Sequence, residues 1–422
     1  TDGKSLTITF DHPVADYRTA LTLNAAAHIV AQRAFSLTEA PAALTRFAAA
    51  VTTANLDDQK LIAEQYAQIY LARNLGTLAS KVGAGPYLIS GFAQGEKLTL
   101  KANPDFSWGP LPKIENLEIK FLSDSTSFMA AMQTGEVDIA APQESGIATV
   151  ADLVALAKST GVTLQVGGSH NIEAILLNFA KGGVFSSADS DPAKVATLRS
   201  AFLKLVPIAK ILTAMSADSP VIEAKSWIYS DKSSYYAPFI QSNGSTDYAV
   251  QNAEMAQELL KTQNVRTPVD IRVLYDSNNP RSKTEFALLG QYAQNVGFNL
   301  IDVSTRNPRE VYTTGEFDVY ITTTALAGEV GGDPYWFTGS SVTGFADPAM
   351  DLLLADLSGK AEALDQVATL KKIDAEVYKA QFGLPLYQVP SMLAYGKKVK
   401  TIVPSPTGSS ATYGYWNWSV SN

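Results

Sequence analysis

The sequence predicts an α/β protein, because segments with the periodicity of helices alternate with segments that have the pattern of strands. An amphipathic helix at 149–160 precedes a strand at 162–166, and a strand at 269–275 is followed by a helix at 283–296 and a strand at 298–303. Such alternation is typical of a sheet with helices on its faces. The 422 residues, 46% of them hydrophobic, are enough for two domains or one large interleaved domain.

The stretch 83–140 organises the rest of the chain. It contains a Gly-Ala-Gly-Pro-Tyr corner at 83–87, a hairpin with strands near 88–89 and 98–100, an Asn-Pro-Asp-Phe-Ser-Trp turn at 103–108, a Pro-Lys-Ile strand entry at 112–114, and a helix at 125–134 that closes on Gly-Glu-Val-Asp-Ile. Gly83 and Gly85 permit backbone angles that a side chain forbids, and Pro86 restricts the entry into the first strand. The pattern predicts a tight corner, a β-hairpin and a helix that leads into a further strand.

This order of pieces resembles the family 5 solute-binding proteins, the extracytoplasmic receptors of peptide and nickel ABC importers. Their signature joins a G-x-GPY/F corner, a hairpin, an N-P-x-Y/F-W turn, a P-K-I strand and a helix ending in G-E-x-D-I; here Ser107 is one additional residue in the turn. The resemblance implies a two-lobe fold like that of type II periplasmic binding proteins, with a discontinuous first lobe. It places lobe one at 1–176, lobe two at 177–388 and the return to lobe one at 389–422.

The resemblance also implies local structure along the chain. A strand at 6–10 matches one that lies well inside the family's proteins, so we expect part of the first lobe, on its N-terminal side, to be missing. A buried strand at 173–179, separate from the one at 162–166, would cross between the lobes. The Ser-, Tyr- and Asp-rich segment 215–247 is predicted to be a surface loop, and 315–321 a strand.

Composition excludes several classes of protein. A net charge of -8 at pH 7 argues against a nucleic-acid binder, which needs a basic face to neutralise phosphates. The chain has no cysteine, which removes disulfides and thiolate catalysis and fits an exported protein. No apolar run reaches the ~18 residues of a membrane span, so membrane attachment would need a tether not present in this chain. No motif for a cofactor is visible, and we expect none to be bound.

Enzyme chemistry finds little support in the sequence. The three histidines lie far apart and outside any metal-binding pattern: His12, His28 and His170. Glu329 and Asp333 can be read as a carboxylate pair for glycoside hydrolysis, but acids in a Gly-rich loop are more often caps. No histidine follows the Gly- and Ser-rich segment 339–344, which excludes a serine hydrolase of that chain order. We therefore expect a binding protein and not an enzyme.

Two departures from the family's pattern bear on the ligand. Peptide receptors of the family commonly hold the ligand's α-ammonium group with an Asp just before the Asp-Pro turn; here that position is Val330 or, with a gap, Ala327, and Glu329 is the nearby carboxylate. Dipeptide receptors also carry an Arg that matches a position near Asp276, where Arg281 is the closest cation. A free dipeptide is therefore disfavoured, because a buried charged end without a partner is costly.

The loops that face the ligand in the family map onto 276–281 and 328–336. Both follow the carboxyl ends of strands, where open α/β sheets place their ligands. Eight residues are the candidate ligand contacts: Asp276, Asn278, Asn279, Arg281, Glu329, Asp333, Tyr335 and Trp336. Since these loops offer no paired charge anchors, we expect an oligopeptide held through its main chain in an interlobe cleft, with a carbohydrate or a metal chelate as the alternative.

The resemblance also implies a partner and a location. A receptor of this kind lies outside the cytoplasm, in the periplasm or tethered to the cell surface, and passes its ligand to an ABC transporter permease. One other class of function stays open, because an adhesion or scaffold protein would expose its aromatic faces instead of lining a ligand site with them.

Overall fold

The protein is described from a computed structural model that covers residues 7–15, 17, 26–69, 71, 74–75, 82–122, 125–141, 147–180, 182–188, 190–216, 221–329, 332–338, 342–403, 405 and 412–420. The α-helices of these residues are α1 (Ala27–Phe35), α2 (Ala40–Thr52), α3 (Leu56–Ile69), α4 (Ser125–Thr134), α5 (Ile147–Thr160), α6 (Pro192–Leu205), α7 (Ile208–Met215), α8 (Tyr236–Ile240), α9 (Ala253–Thr262), α10 (Pro280–Val296), α11 (Pro308–Tyr312), α12 (Pro348–Ser358) and α13 (Ala363–Lys379). The strands are β1 (Tyr87–Ala93), β2 (Lys97–Ala102), β3 (Asn116–Lys120), β4 (Ile139–Ala140), β5 (Thr163–Leu177), β6 (Val269–Leu274), β7 (Phe298–Asp302), β8 (Val319–Ala325), β9 (Gly383–Tyr395), β10 (Val399–Lys400) and β11 (Ser419–Val420).

The chain divides into two compact units, and the larger one is built mainly from Ile139–Tyr395. Its sheet has six strands in the order β4-β9-β5-β8-β6-β7. β6 pairs in parallel with β7 and β8, whereas β5 pairs antiparallel with β8 and β9. The predicted β-α-β unit is confirmed, because α10 connects β6 to the adjacent parallel strand β7.

β5 runs unbroken for 15 residues, where the sequence predicts two separate strands. Its pairing with β9 shifts register between Gly168 and Ile172, so a polar segment bulges out of the ladder. The bulge is held by Ser169, whose Oγ donates to the carbonyl of Val389 at 2.8 Å. The polar Gly-Gly-Ser-His-Asn sequence at 167–171 suggests a break, but a β-bulge absorbs it without ending the strand.

The segment 215–247, of which 217–220 lie outside the described residues, is only in part the surface loop that its composition predicts. Trp227 and Ile228 are fully buried, and short helix α8 lies within it. Residues 222–224 run beside β9, where Ala224 N–H donates to Leu386 O and Gln388 N–H to Ile222 O. The prediction is wrong for residues 222–230, because the polar groups there are satisfied inside the protein by partners remote in sequence.

The smaller unit is built mainly from Arg18–Asp138. β1, β2 and β3 form an antiparallel sheet, which confirms the predicted hairpin, and α4 has the predicted bounds. The corner is fixed by Asn103, whose Nδ2 donates to Gly85 O at 2.9 Å, and by Trp108, whose Nε1 donates to Ala84 O at 3.0 Å. The turn residues of the sequence motif therefore hold the Gly-Ala-Gly-Pro corner through its carbonyl groups.

Three further expectations compare with the structure as follows. The predicted strand at 6–10 is not formed by residues 7–10, and Leu6 lies outside the described residues. The strand predicted at 315–321 starts later, as β8, since Gly315 has a left-handed φ of 73° that ends the preceding turn. The predicted lobe boundaries fall inside β5 and β9, whose extensive pairing keeps each strand whole in the larger unit, so those lobe ranges stay a prediction.

Among the residues described above, none of the helices combines the length with the apolar character that crossing a membrane requires.

Candidate ligand-binding site

The two predicted ligand loops follow the carboxyl ends of neighbouring parallel strands, but these strands end at different points along the strand direction. β6 and β8 are parallel neighbours, and Leu274 at the end of β6 pairs with Tyr320. β8 continues to Ala325, five residues further. At about 3.3 Å per residue, the loop after β8 begins roughly 16 Å beyond the loop after β6 along the strand direction.

The loop after β6 uses its polar atoms for its own turn and for the start of α10. Asp276 Oδ1 accepts a hydrogen bond from the backbone N–H of Asn278 at 2.8 Å. Asn279 is the N-cap of α10, and its Oδ1 accepts from the N–H of Arg281 at 3.0 Å. These are the turn and capping roles that short polar side chains favour.

Arg281 turns inward from this loop and is 2% exposed. Its Nη2 lies 3.2 Å from Glu173 Oε2 on β5 and 3.2 Å from Thr323 Oγ1 on β8. Glu173 also accepts hydrogen bonds from Thr323 Oγ1 at 2.7 Å and from Ser282 Oγ at 3.3 Å. The guanidinium therefore neutralises a buried carboxylate in the interior of the larger unit, and a ligand contact by Arg281 stays a prediction.

A second buried carboxyl group, that of Glu285 on α10, extends this network. Tyr387 donates its phenolic hydrogen to Glu285 Oε1. Burial, and then the negative charge of Glu173, raise the pKa of Glu285 well above its ordinary value. Burial beside the charge of Glu173 therefore favours the neutral form of the Glu285 carboxyl group.

Glu329, in the loop after β8, is held by a segment that lies far away in sequence. Its Oε1 accepts hydrogen bonds from the backbone N–H of Ser230 at 3.0 Å and from Ser230 Oγ at 2.8 Å. Its Oε2 lies 3.6 Å from His170 Nε2 on the bulge of β5. Burial, and then the charge of Glu329, raise the pKa of the neighbouring Tyr229 to about 12, so this phenol stays neutral.

Glycine is required twice where the loop after β8 packs against the chain. A Cβ on Gly328 would lie 2.6 Å from Ile228 Cγ2 and 2.9 Å from a ring carbon of Tyr229. A Cβ on Gly332 would lie 1.9 Å from the carbonyl oxygen of Leu326. The backbone of the loop therefore approaches its supports more closely than any side chain allows.

The turn 332–337 combines a cap with an aromatic cluster. Asp333 caps the short helix Pro334–Phe337, its Oδ1 accepting from the N–H of Tyr335 at 2.8 Å, which agrees with the cap interpretation of this acid. Tyr335 is 38% exposed. Trp336 is half-buried, with its ring centroid 4.9 Å from that of Phe337 and 5.3 Å from that of Phe382. Trp336 therefore contributes to the core as well as to the surface beside the loop.

Sequence reasoning missed the residues that surround Glu329. Ser230, which holds Glu329, lies 99 positions earlier in the chain, and no spacing rule connects the two. Beside it, Asp231 Oδ1 accepts from Gln388 Nε2 at 3.0 Å, and Lys232 Nζ lies 3.5 Å from the carbonyl of Gly168. The polar composition of 215–247 is the one available signal, and it suggests a surface loop instead.

The arrangement offers hydrogen-bonding groups and aromatic surface. The part of the chain that the structure describes holds no group of three or more His, Asp or Glu side chains suited to a metal ion. Glu329 and Asp333 both accept hydrogen bonds from neighbouring groups of the chain, which is the behaviour of structural carboxylates. What remains is a loop with a fixed backbone, next to polar side chains and an aromatic cluster, which is typical of a binding site.

The sequence profile of the bacterial extracellular solute-binding proteins, family 5 Middle, matches residues 1–346. The chain belongs to this family. One curated relative, Protein XP55 of Streptomyces lividans, is 33% identical over 57 residues, which are 14% of this chain and 10% of that protein. The match to this relative therefore spans a tenth of its length.

Several solved structures have a similar fold. The periplasmic EDTA-binding protein EppA aligns with a TM-score of 0.76 and 19% identity over 98% of this chain and 73% of its own. NikA from Brucella suis in complex with Fe(III)-EDTA aligns at 0.64 with 17% identity, over 80% and 68%. AppA from Bacillus subtilis in complex with a nonapeptide aligns at 0.61 with 15% identity, over 81% and 67%. These proteins have the two-lobe periplasmic-binding fold, and the predicted fold class is confirmed.

Proposed function

We propose that this family 5 protein is the substrate-binding component of an ABC importer. It would work outside the cytoplasm, bind a solute at the loops that follow β6 and β8, and pass that solute to a transporter permease. Membership in a family of extracellular solute-binding proteins supports this role. The carboxylates of the site support binding over catalysis, since those of Glu329 and Asp333 are engaged by groups of the chain itself.

The ligand that fits these loops best is an oligopeptide recognised through its main chain. The observation that carries this proposal is that the charged candidate residues are bonded to other groups of the protein. Asp276 and Asp333 accept from backbone N–H groups, Arg281 pairs with Glu173, and Glu329 accepts from Ser230. A ligand whose affinity depends on its charged ends would have to compete with these bonds. A peptide main chain instead needs neutral donors and acceptors, with aromatic side chains as walls.

A metal chelate is the second candidate. The protein EppA, which binds EDTA, aligns over 98% of this chain, and NikA from Brucella suis binds Fe(III)-EDTA. A chelate of this kind is an anion, and an exposed cation lies near Glu329. This cation is Lys232, which follows Ser230 by two residues and lies 3.5 Å from the carbonyl of Gly168 on β5. A carbohydrate, for which the aromatic residues would serve as stacking surfaces, is the third ligand class to test.

The proposal is tested by thermal shift against three ligand panels. A mixed penta- to nonapeptide pool, Fe(III)-EDTA with nickel chelates, and a set of oligosaccharides are each added to the same protein preparation. A ligand at a hundredfold excess over its Kd stabilises the folded state by about 2.7 kcal/mol, which is a clear rise in melting temperature. We expect a shift with the peptide pool. A shift with chelates alone would replace the peptide proposal, and no shift with any panel would favour the scaffold interpretation.

A further inference from the structure

Asp374 on α13 is an acid buried completely in the larger unit, and it anchors the segment 226–230. Its Oδ1 accepts from the backbone N–H of Trp227 at 2.8 Å, and its Oδ2 accepts from Asn243 Nδ2 at 2.8 Å. Asn243 in turn donates to the carbonyl of Lys225 at 2.7 Å. The carboxylate of Asp374 therefore fixes both the start of the segment 226–230, at Trp227, and the chain around Asn243.

The same segment carries the loop after β8 on its other side. The backbone N–H of Ala327 donates to Trp227 O at 2.9 Å, and that of Gly328 donates to Ile228 O at 2.9 Å. Ser230 then holds the carboxylate of Glu329 through its N–H and its hydroxyl. Trp227 is thus bonded to Asp374 through its N–H and to the ligand loop through its carbonyl.

We propose that Asp374 is a positioning residue for ligand binding: through the segment 226–230 it sets the place of the loop Ala327–Glu329. This inference rests on the proposed function, because it takes that loop as part of the ligand site. Asp374 itself is buried and touches no ligand. Its effect passes through two backbone hydrogen bonds and the Ser230–Glu329 contact, so loss of the carboxylate should loosen the loop more than it changes the rest of the core.

The titration of Asp374 supplies a second readout. Burial raises its pKa from 3.8 to about 6, against the opposing effect of the hydrogen bonds from Asn243, Trp227 and Ser226. The other titratable groups around it are Tyr378 on α13, Tyr236 on α8 and Glu223 beside β9. Protonation removes acceptor capacity that Trp227 or Asn243 uses, so affinity should fall as the pH drops through about 6.

The test compares Asp374→Asn with Thr369→Val, a matched control on the same helix. Thr369 is fully buried and bonds to Lys360 and Asp356, which lie apart from the segment 226–230. Backbone hydrogen exchange is measured on the protein without ligand, and retention of a mixed pentapeptide pool is measured by ultrafiltration and mass spectrometry between pH 5 and 8.

We expect D374N to speed exchange at the amides of Ala327, Gly328 and Ser230, to weaken peptide binding roughly tenfold at pH 7.5, and to abolish the fall in affinity near pH 6. Thr369→Val should lower the melting temperature without any of these changes. If D374N does not fold, the unmodified protein decides: its exchange at Ala327 and Gly328 and its peptide retention should both change as the pH falls through about 6, and no change in either would overturn the proposal.

Two outcomes would overturn the proposal. Unchanged exchange at 327–330 in D374N, with a lower melting temperature as in the control, would assign Asp374 to general stability alone. Faster exchange with unchanged peptide affinity would mean that the loop is positioned by Asp374 but is not part of the ligand site. If the unmodified protein retains no peptide, the peptide proposal fails, whereas hydrogen exchange still decides whether Asp374 positions the loop.

Discussion

The loops after β6 and β8 are both predicted to face the ligand because both follow the carboxyl ends of strands, yet different parts of the chain hold them in place. The loop after β6 is held by its own turn and cap, where Asp276 and Asn279 bond to backbone groups two residues away, and by the sheet beside it, where Arg281 pairs with Glu173. The loop after β8 depends on the segment 226–230 and on Asp374 behind it. A loop whose turn is fixed by its own residues should not move when a distant residue is substituted, whereas a loop that packs on a distant segment should. The loop after β8 is therefore the one whose position other parts of the larger unit control.

The largest effect is expected from the buried ion pair that ties the loop after β6 to the sheet. Arg281→Met leaves the carboxylate of Glu173 buried without its cation and should cost about 3 to 5 kcal/mol of the free energy of unfolding, measured by urea denaturation. The control is Lys379→Met, which removes the exposed Lys379–Glu376 pair and should cost less than about 1 kcal/mol. Equal effects of the two variants would show that Arg281 is not an anchor of this loop.

A pH-dependent effect of similar size is expected at the support of the loop after β8. The pKa of Asp374 is raised from 3.8 to about 6, so between these values the folded state binds more protons than the unfolded state. Stability from this group is therefore highest at low pH and falls as the pH rises, by about 3 kcal/mol in total. The free energy of unfolding is measured from pH 4 to 7 for the unmodified protein and for D374N. The difference between the two proteins should change by about 3 kcal/mol over this pH range. A constant difference would contradict the assignment.

Trp336→Ala should reduce both stability and ligand binding. The ring packs against Phe337 and Phe382, so its loss leaves a cavity that costs about 3 kcal/mol of unfolding free energy. Tyr335→Ala is the comparison, because Tyr335 is 38% exposed and should cost less than about 1 kcal/mol. If both variants are equally stable, Trp336 does not belong to the core.

Glu329→Gln tests the contact that links the loop after β8 to its support. An amide accepts less strongly than a carboxylate from the N–H and hydroxyl of Ser230, so we expect a loss of about 1 to 2 kcal/mol in stability and weaker binding of the peptide pool. Combining it with Trp336→Ala sharpens the test. If the double variant binds the peptide pool as tightly as the unmodified protein, the ligand site lies elsewhere.

The smallest effect is expected at the local cap of the loop after β6. Asn279→Ala removes the side chain that accepts from the N–H of Arg281 and should cost about 1 kcal/mol, measured by thermal denaturation. Because the cap of Asn279 acts only within the loop after β6, hydrogen exchange at Ala327 and Gly328 should not change. Faster exchange at those amides would show that the two loops are coupled and would remove the contrast between them.

Short-range patterns in the sequence predicted much of the fold correctly. The corner at 83–87, the hairpin β1–β2, helix α4 and the β6-α10-β7 unit follow from turn residues and periodicity, and both act over a few neighbouring positions. The cap interpretation of Asp333 also follows from local chemistry, because its side chain caps the short helix Pro334–Phe337. Family membership followed from the same motifs, because their order and spacing are specific.

Tertiary structure decided what holds the site together. The sequence contains Glu329, Ser230, Trp227 and Asp374, but nothing in their spacing indicates that they form one chain of hydrogen bonds. Likewise, Arg281 reads as a cation in a loop until the fold brings Glu173 of β5 to within 3.2 Å of it. Residues 226–230 of the predicted surface loop are also buried in the core. The physical reason is that a buried polar group must be satisfied, and only the folded chain determines which distant residue does so.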